Sequence, residues 1–338
     1  MAETKKVPDR VLTGDRPTGK LHLGHYVGSI QNRVALQGKY DSCFYMIADV
    51  QALTDNADNP DKVRANLLEV AMDNLAAGLD PSKTTFFVQS MIPEIAELTV
   101  YFLNLVTLAR LERNPTVKSE MKDKGFGADV PVGFLAYPIS QAADILFCKA
   151  NIVPVGDDQK PVLEQANEIM EKFNRFYGDV FQPIRMIASD TPRLVGLDGN
   201  AKMSKSLGNT INLSASDKEI EDKVMSMYTD PDHIHVSDPG KVEGNVVFAY
   251  LDIFDPSKSE ITELKEKYAN GGLGDIEIKN RLAGVLKNLI APIRQRRVEY
   301  ENNPEIVKKI LKDGTEKARD LGRETMKEIR KAMKIDYF

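Results

Sequence analysis

The feature that most constrains the fold is an alternation, through the first half of the chain, of short strand-like runs with amphipathic helices. Residues 11–13, 43–48, 85–88 and 152–155 are short apolar runs, β-branched or aromatic and bounded by turn residues, as buried strands are. Between the second and third, residues 61–77 place Val63, Leu67, Val70, Ala71 and Leu75 on one helical face. Asn59-Pro60 stands at the start of that helix and Gly78 just past its end, the usual start and stop signals. Strands separated by helices are joined by crossovers, so the pattern predicts a doubly wound parallel sheet with ligands beyond the carboxyl ends of its strands.

Residues 94–124 turn helical and then polar, which predicts a helical insertion near 94–150 between the two halves of the sheet. From Ser214 onward the pattern stays helical. Ile278, Leu282, Val285, Leu289 and Ile293 recur at helical spacing, and Ala318, Leu321, Ile329 and Met333 mark a last helix. The stretch between the two parts, Gly196-Leu197-Asp198-Gly199-Asn200 through Gly208-Asn209, is glycine-rich and polar and reads as a mobile loop. The length agrees, since 338 residues make about two domains of ordinary size.

Cys43 and Cys148 stand alone, which excludes a disulfide framework and the paired spacing of cysteine metal sites. No apolar run approaches the ~20 residues that cross a bilayer, and the opening MAETKKVPDR lacks the apolar centre of a secretory signal. The expectation is a cytoplasmic protein with no membrane partner. The formal net charge of −5 conceals an asymmetry: residues 279–338 carry 16 Lys and Arg against 9 Asp and Glu, leaving the rest of the chain at −12. Either a solvated helix face or an anionic partner for the C-terminal part accounts for it.

Two of the four histidines fall in Leu21-His22-Leu23-Gly24-His25, directly after the first strand and at the start of a helix. The spacing stacks both imidazoles on one turn, where backbone N–H groups and the helix dipole suit a phosphate that gains negative charge. Gly24 would let a base or ribose rest against the backbone. The same residues also suit a pair of structural or weakly metal-binding histidines. Far downstream, in the glycine-rich joint, comes Lys202-Met203-Ser204-Lys205-Ser206. Its two swinging ammonium groups suit a triphosphate and a pyrophosphate leaving group. Alone, the pentapeptide reads equally well as an exposed basic loop.

HLGH after the first strand and KMSKS after the sheet are joined by two further motifs, Thr13-Gly14-Asp15-Arg16-Pro17-Thr18-Gly19 and Gly156-Asp157-Asp158-Gln159. In this order they resemble the class I aminoacyl-tRNA synthetases, and more closely the bacterial tryptophanyl-tRNA synthetases, over nearly the whole chain. The resemblance implies an α/β fold: a Rossmann-like doubly wound parallel sheet with a helical insertion, and a C-terminal all-α domain. On that pattern residues 1–195 form the catalytic domain, 196–213 the mobile KMSKS loop, and 214–338 the anticodon-binding domain, whose last helix returns to the catalytic domain. ATP with substrate-bound Mg2+, L-tryptophan and tRNA(Trp) are the implied cofactors and partners. A homodimer is implied as well, and the apolar segment 99–111, with Val100, Leu103, Leu105, Val106 and Leu108, offers a surface for it. By position, His22, His25, Lys118, Lys202 and Lys205 act on the phosphates. Asp15, Arg16, Thr18, Gly24, Gly156, Asp158, Met203 and Ser204 complete the ATP site, with Gly156 and Asp158 on the ribose. The basic C-terminal residues, Arg294, Arg296 and Arg297 among them, become candidate contacts to tRNA phosphates.

Tyr137, Gln141 and Asp144 share one helical face, and the resemblance implies that they form the amino-acid pocket. The pattern also resembles that of tyrosyl enzymes, in which the first two hold the α-ammonium group and the Asp meets the phenol; many tryptophanyl enzymes have Met where this chain has Gln141. Leu12, on the first strand, points to tryptophan. Tyrosyl enzymes place a second partner for the phenol there, whereas an apolar side chain gives an indole ring a flat wall. Indole has one N–H and no acceptor, so a carboxylate such as Asp144 satisfies it alone. Gln51 and Gln159 complete the implied tryptophan-binding set. From the residues alone, Asp144 could also be a helix-surface acid and Tyr137 a core residue; the flanking signatures favour the pocket. Two rival functions stand beside this one: a tyrosyl enzyme, and a non-catalytic RNA-binding relative, against which two intact signatures argue.

Overall fold

The computed structural model describes residues 8–127, 129–188, 194–199, 203 and 207–338. Strand β1 (Arg10–Asp15) leads to the short helix α1 (Leu23–His25), which runs through one π-helical turn, Tyr26–Ile30, into α2 (Gln31–Leu36). Then come β2 (Ser42–Ile47), α3 (Asp49–Ala52), α4 (Pro60–Ala77) and β3 (Thr84–Val88). Helices α5 (Pro93–Leu103), α6 (Leu108–Glu112), α7 (Pro115–Lys124) and α8 (Val132–Leu146) intervene before β4 (Ile152–Val155), α9 (Lys160–Tyr177) and β5 (Arg185–Ala188). The rest is helical: α10 (Asp217–Met225), α11 (Val246–Phe254), α12 (Lys258–Asn270), α13 (Asp275–Asn302) and α14 (Pro304–Ala332).

The strands are parallel, in the order β3-β2-β1-β4-β5. The order reverses between β1 and β4, so the ligand crevice of a doubly wound sheet opens there. One strand went unread in the sequence: β5 is four residues, Arg-Met-Ile-Ala, half-exposed at the sheet edge, too short for a periodicity signal. Successive strand side chains point to opposite faces. Leu12, Phe44 and Phe87 pack against α5, α8 and α9, while Tyr45, Ile47 and Phe86 pack against α4 and join a core shared with α10, α11, α12 and α13.

Local signals explain the helices that frame the crevice. In α4 the Asn59 side chain accepts the Lys62 N–H, Pro60 occupies the first turn, and Gly78 ends the helix at φ 115°, a left-handed conformation that glycine tolerates. Helix α10 opens with a reciprocal capping pair, Ser216 and Glu219. The last helix, α14, lies against β3: Thr315 Oγ1 accepts the Val88 N–H at 3.2 Å, and a Cβ on Gly314 would meet the Phe86 carbonyl oxygen at 2.0 Å.

The arginines of α13 are engaged within the fold, and Arg297 is buried. Arg294 donates to the Ala215 carbonyl and to Asp217, both at 2.6 Å, and Arg296 to the Ala76 carbonyl at 2.6 Å. Arg297 is buried against Asp73 and Glu69. They tie α13 to α4 and to the start of α10; Arg297 is sequestered by this from any RNA backbone, while Arg294 is half-buried and Arg296 exposed. A basic side chain reads the same in sequence whether it is solvated or bonded across a buried seam.

Candidate active site

The HLGH turn is built by its own histidines. His22 has an extended backbone (φ −127°, ψ 174°) and caps α1, its Nδ1 accepting the Gly24 N–H at 3.1 Å. His25 Nδ1 accepts the His22 N–H at 3.2 Å, and the two rings lie 3.9 Å apart. An imidazole nitrogen that accepts carries no proton, so in the neutral form each ring would bear its proton on Nε2, as a donor. Gly24 is closely packed: a Cβ would sit 3.0 Å from the His22 ring and from the Met203 Sδ, so either side chain would have to give by a few tenths of an ångström.

Met203 is thereby buried against the HLGH turn, so two motifs remote in sequence share one place. The chain after KMSKS is stitched to the same turn, with Leu23 N–H donating to the Ile211 carbonyl and Leu213 N–H to the Leu21 carbonyl, each at 2.9 Å. Lys202, Ser204 and Lys205 lie outside the described residues.

The loop between β1 and α1 is held at its base. Asp15 commits both carboxylate oxygens internally: Arg33 donates to each, at 2.5 and 2.8 Å, and Tyr45 and Asn74 donate to Oδ2 at 2.9 and 3.1 Å. Burial alone would raise the Asp15 carboxyl, but the Arg33 guanidinium holds it well below the usual carboxylate range. The Asp15 side chain therefore supports this loop from its base. Arg16 pairs with Asp55, which Lys124 of α7 also reaches. Thr18, half-buried, donates its N–H to the Arg16 carbonyl at 2.8 Å.

Opposite, at the exit of β4, Gly156 is bare where a Cβ would meet Asp158 Oδ1 at 2.8 Å. Gln159 Nε2 reaches Asp158 Oδ2 at 3.4 Å. Thr116 Oγ1 donates to the Asp158 carbonyl at 2.8 Å, which docks the first turn of α7 beside this exit; Lys118, two residues on, is exposed.

Beneath, α8 turns Tyr137, Gln141 and Asp144 to one side. Tyr137 is buried, and its hydroxyl has no hydrogen-bond partner among the described residues; burial and the nearby Glu120 carboxylate raise it well above an ordinary phenol. Gln141 is half-buried. Asp144 is 1% exposed. Its Oδ1 accepts Gln89 Nε2 at 2.7 Å, and its buried Oδ2 has no hydrogen-bond partner among the described residues. Burial pushes the carboxyl up to about 7, with the Gln89 bond opposing and the Asp49 charge adding. Leu12 lies in the apolar core that Ala142 and Ala143 of α8 also line. Gln51, half-buried on α3, donates its backbone N–H to Gln89 Oε1 at 3.1 Å.

Gln89 was missed in the sequence, although it links Gln51 to Asp144. Its place one residue past β3, at the carboxyl end of a doubly wound sheet, was the available signal.

This architecture has close counterparts. The family model of class I tRNA synthetases for W and Y matches residues 4–291. A tryptophan–tRNA ligase from Clostridium longisporum is 56% identical over 333 residues, 97% of each chain. One from Streptococcus mutans is 55% identical over 97% of this chain and 98% of its own. The tryptophanyl-tRNA synthetase of Campylobacter jejuni, solved with ADP and tryptophan, superposes with a TM-score of 0.84 at 33% identity, covering 96% of this chain and 99% of that one. Matched by that family model over residues 4–291 and more than half identical to such ligases over 97% of its length, the chain belongs to the class I tRNA synthetases of the tryptophan and tyrosine branch.

Proposed function

We infer that the chain activates L-tryptophan with ATP, forming tryptophanyl-adenylate and pyrophosphate, and transfers the tryptophanyl group to tRNA(Trp). One observation carries the reading: more than half of the residues are identical, over 97% of the chain, to enzymes named tryptophan–tRNA ligase. In the first step a tryptophan carboxylate oxygen bonds to the α-phosphorus, and the bond to the bridging oxygen breaks, its electrons leaving with pyrophosphate. In the second, a hydroxyl of the terminal ribose takes the acyl group and AMP leaves. No protein nucleophile is needed, so the side chains act by position and charge.

His22 and His25 donate from Nε2 to phosphate oxygens at the start of α1. Lys118, Lys202 and Lys205 offset the charge that gathers on pyrophosphate. Arg16, Thr18, Gly24, Met203 and Ser204 line the nucleotide, and Gly156 and Asp158 take the ribose. Tyr137, Gln141, Gln159 and Gln51 surround the amino acid, Leu12 walls its ring, and Asp144 Oδ2 accepts the indole N–H. Mg2+ supplies charge neutralisation on the phosphates when bound. Such an ion would be carried mainly by phosphate oxygens and water, since Mg2+ keeps several waters and needs no dedicated protein cage.

The same reading divides the chain into a catalytic domain (1–195), a mobile loop (196–213) and an anticodon-binding domain (214–338), and places it in the cytoplasm. Among the described residues no helix is long and apolar enough to cross a membrane. It also pairs two copies through α5 and α6, where Val100, Leu103 and Leu108 are exposed; Leu105, by contrast, is core and Val106 half-buried. Pyrophosphate exchange assayed with each of the twenty amino acids tests the activity. Exchange driven by tryptophan is expected, and exchange driven by tyrosine instead would overturn the assignment.

A further inference from the structure

A second charged cluster lies behind the HLGH turn. Arg297 projects from α13 and is 1% exposed, and Asp73 of α4 is fully buried. The guanidinium donates to Asp73 Oδ1, to the Glu69 carboxylate at 2.5 Å and carbonyl at 3.1 Å, and to Glu301 at 2.9 Å. The other Asp73 oxygen, Oδ2, accepts the backbone N–H of Leu21 at 2.7 Å. Leu21 directly precedes His22. Glu69 reaches the same way, 3.7 Å from the Lys20 ammonium. The next residue of α4, Asn74, turns toward the sheet, donating to Tyr45 Oη at 2.7 Å and to Asp15 at 3.1 Å. A line of polar contacts therefore runs from α13, across one turn of α4, to Asp15 and Leu21, the two ends of the loop that carries Arg16 and Thr18.

Stability does not explain this arrangement, because two charges taken out of water give back little that a well-packed apolar pair would not. An apolar pair, however, cannot bond the Leu21 N–H in one register. We propose that Asp73 is a positioning residue for the HLGH turn, and that Arg297 makes its placement conditional on the seating of α13, so that the C-terminal helices act on the ATP site through this pair. The inference rests on the reading of His22 and His25 as phosphate-binding residues. Arg297 fixes the direction of the Asp73 carboxylate, Asp73 fixes Leu21, and Leu21 fixes the turn whose imidazoles meet the phosphates. The tryptophan pocket on α8 packs on the opposite face of the sheet and is not part of this line.

The test is steady-state pyrophosphate exchange with two variants, Asp73→Asn and the double variant Asp73→Leu/Arg297→Met, alongside tryptophan binding and thermal unfolding. The double variant keeps an apolar fill but leaves Leu21 without its acceptor; its kcat/KM for ATP should fall about tenfold or more while tryptophan affinity stays within about twofold. Asp73→Asn keeps an acceptor but gives up the charge that Arg297 holds, and should lose at least about threefold in the same parameter. Parent-like ATP kinetics in both variants overturn the proposal, as does a parallel loss of tryptophan affinity, which marks a general structural role. If the double variant does not fold, Asp73→Asn decides alone. His25→Ala, run beside them, separates the two readings. If it too leaves ATP kinetics unchanged, the phosphate assignment has failed; if it alone impairs them, only the coupling has.

Discussion

Asp144 is the residue at which the choice of amino acid can be measured directly. One oxygen is held by Gln89 and the other is buried without a partner among the described residues; on the function proposed above, the indole N–H would be that partner. Asp144→Ala would leave that N–H buried and unpaired, a cost of about 1–3 kcal/mol, and tryptophan affinity should fall roughly 10-fold to 100-fold. 1-Methyltryptophan, with no N–H to satisfy, should lose far less. The chain contains no tryptophan, so indole fluorescence reports the ligand alone. Equal losses for both ligands would show that Asp144 acts on the pocket's shape. The carboxyl also gives the site a pH dependence whose sign is fixed. Burial raises it from the ordinary 3.8 to about 7, and the indole prefers the ionised form. Tryptophan should therefore bind best above pH 7 and weaken as pH falls through about 7. In the free protein the sign is opposite: the native state keeps a proton that the unfolded chain has released, so this group's contribution to stability falls as pH rises from about 4 to 7. Titrations of Asp144→Asn should lose the binding trend, and a trend that survives belongs to another group.

At the scale of elements, two glycines in the long C-terminal helices predict opposite outcomes for one substitution. Gly314 of α14 sits where a Cβ would lie 2.0 Å from the Phe86 carbonyl oxygen, and Gly284 of α13 has nothing within 4 Å. Backbone cannot move aside as a side-chain end can. Gly314→Ala should lift α14 off β3 and destabilise by about 1–3 kcal/mol, whereas Gly284→Ala should stabilise by about 0.5–1 kcal/mol through helix propensity. Urea unfolding of both decides the matter, and a stabilised Gly314→Ala would mean that α14 does not press on β3. The contrast also shows what sequence could convey. The helix over α4 and the HLGH turn were legible because their signals are local: a cap, a period, a glycine, two histidines on one turn. Gln89, Asp73 and the tie between Gly314 and Phe86 were not. Each acquires its meaning from an element that the chain reaches only much later, and β5 is too short to show any period.

For the whole molecule the question is what the basic C-terminal region does once its apparent candidates are removed. The excess of 16 Lys and Arg over 9 Asp and Glu in residues 279–338 remains, but Arg294, Arg296 and Arg297 are engaged in holding α13 to the rest of the fold. Reversing their charges would break these bonds, the buried Arg297–Asp73 pair among them, and so report on folding. Lys312, Lys327 and Lys331 are instead exposed on α14, where an RNA phosphate can reach them. Cationic groups that pair with phosphates release counterions, so tRNA affinity should fall steeply with salt, and removing one such lysine–phosphate pair should reduce the slope of log K against log salt by roughly 1. Changing these three lysines to Glu should flatten that slope and slow aminoacylation at low salt. Pyrophosphate exchange, which needs no tRNA, should be unaltered. The matched Arg294→Glu variant should lower the unfolding temperature, because it gives up the bonds to Ala215 and Asp217. An unchanged slope in the lysine variant, with its fold intact, would make the exposed side of α14 a solvated face and move the search for the tRNA contact to α10, α11 and α12.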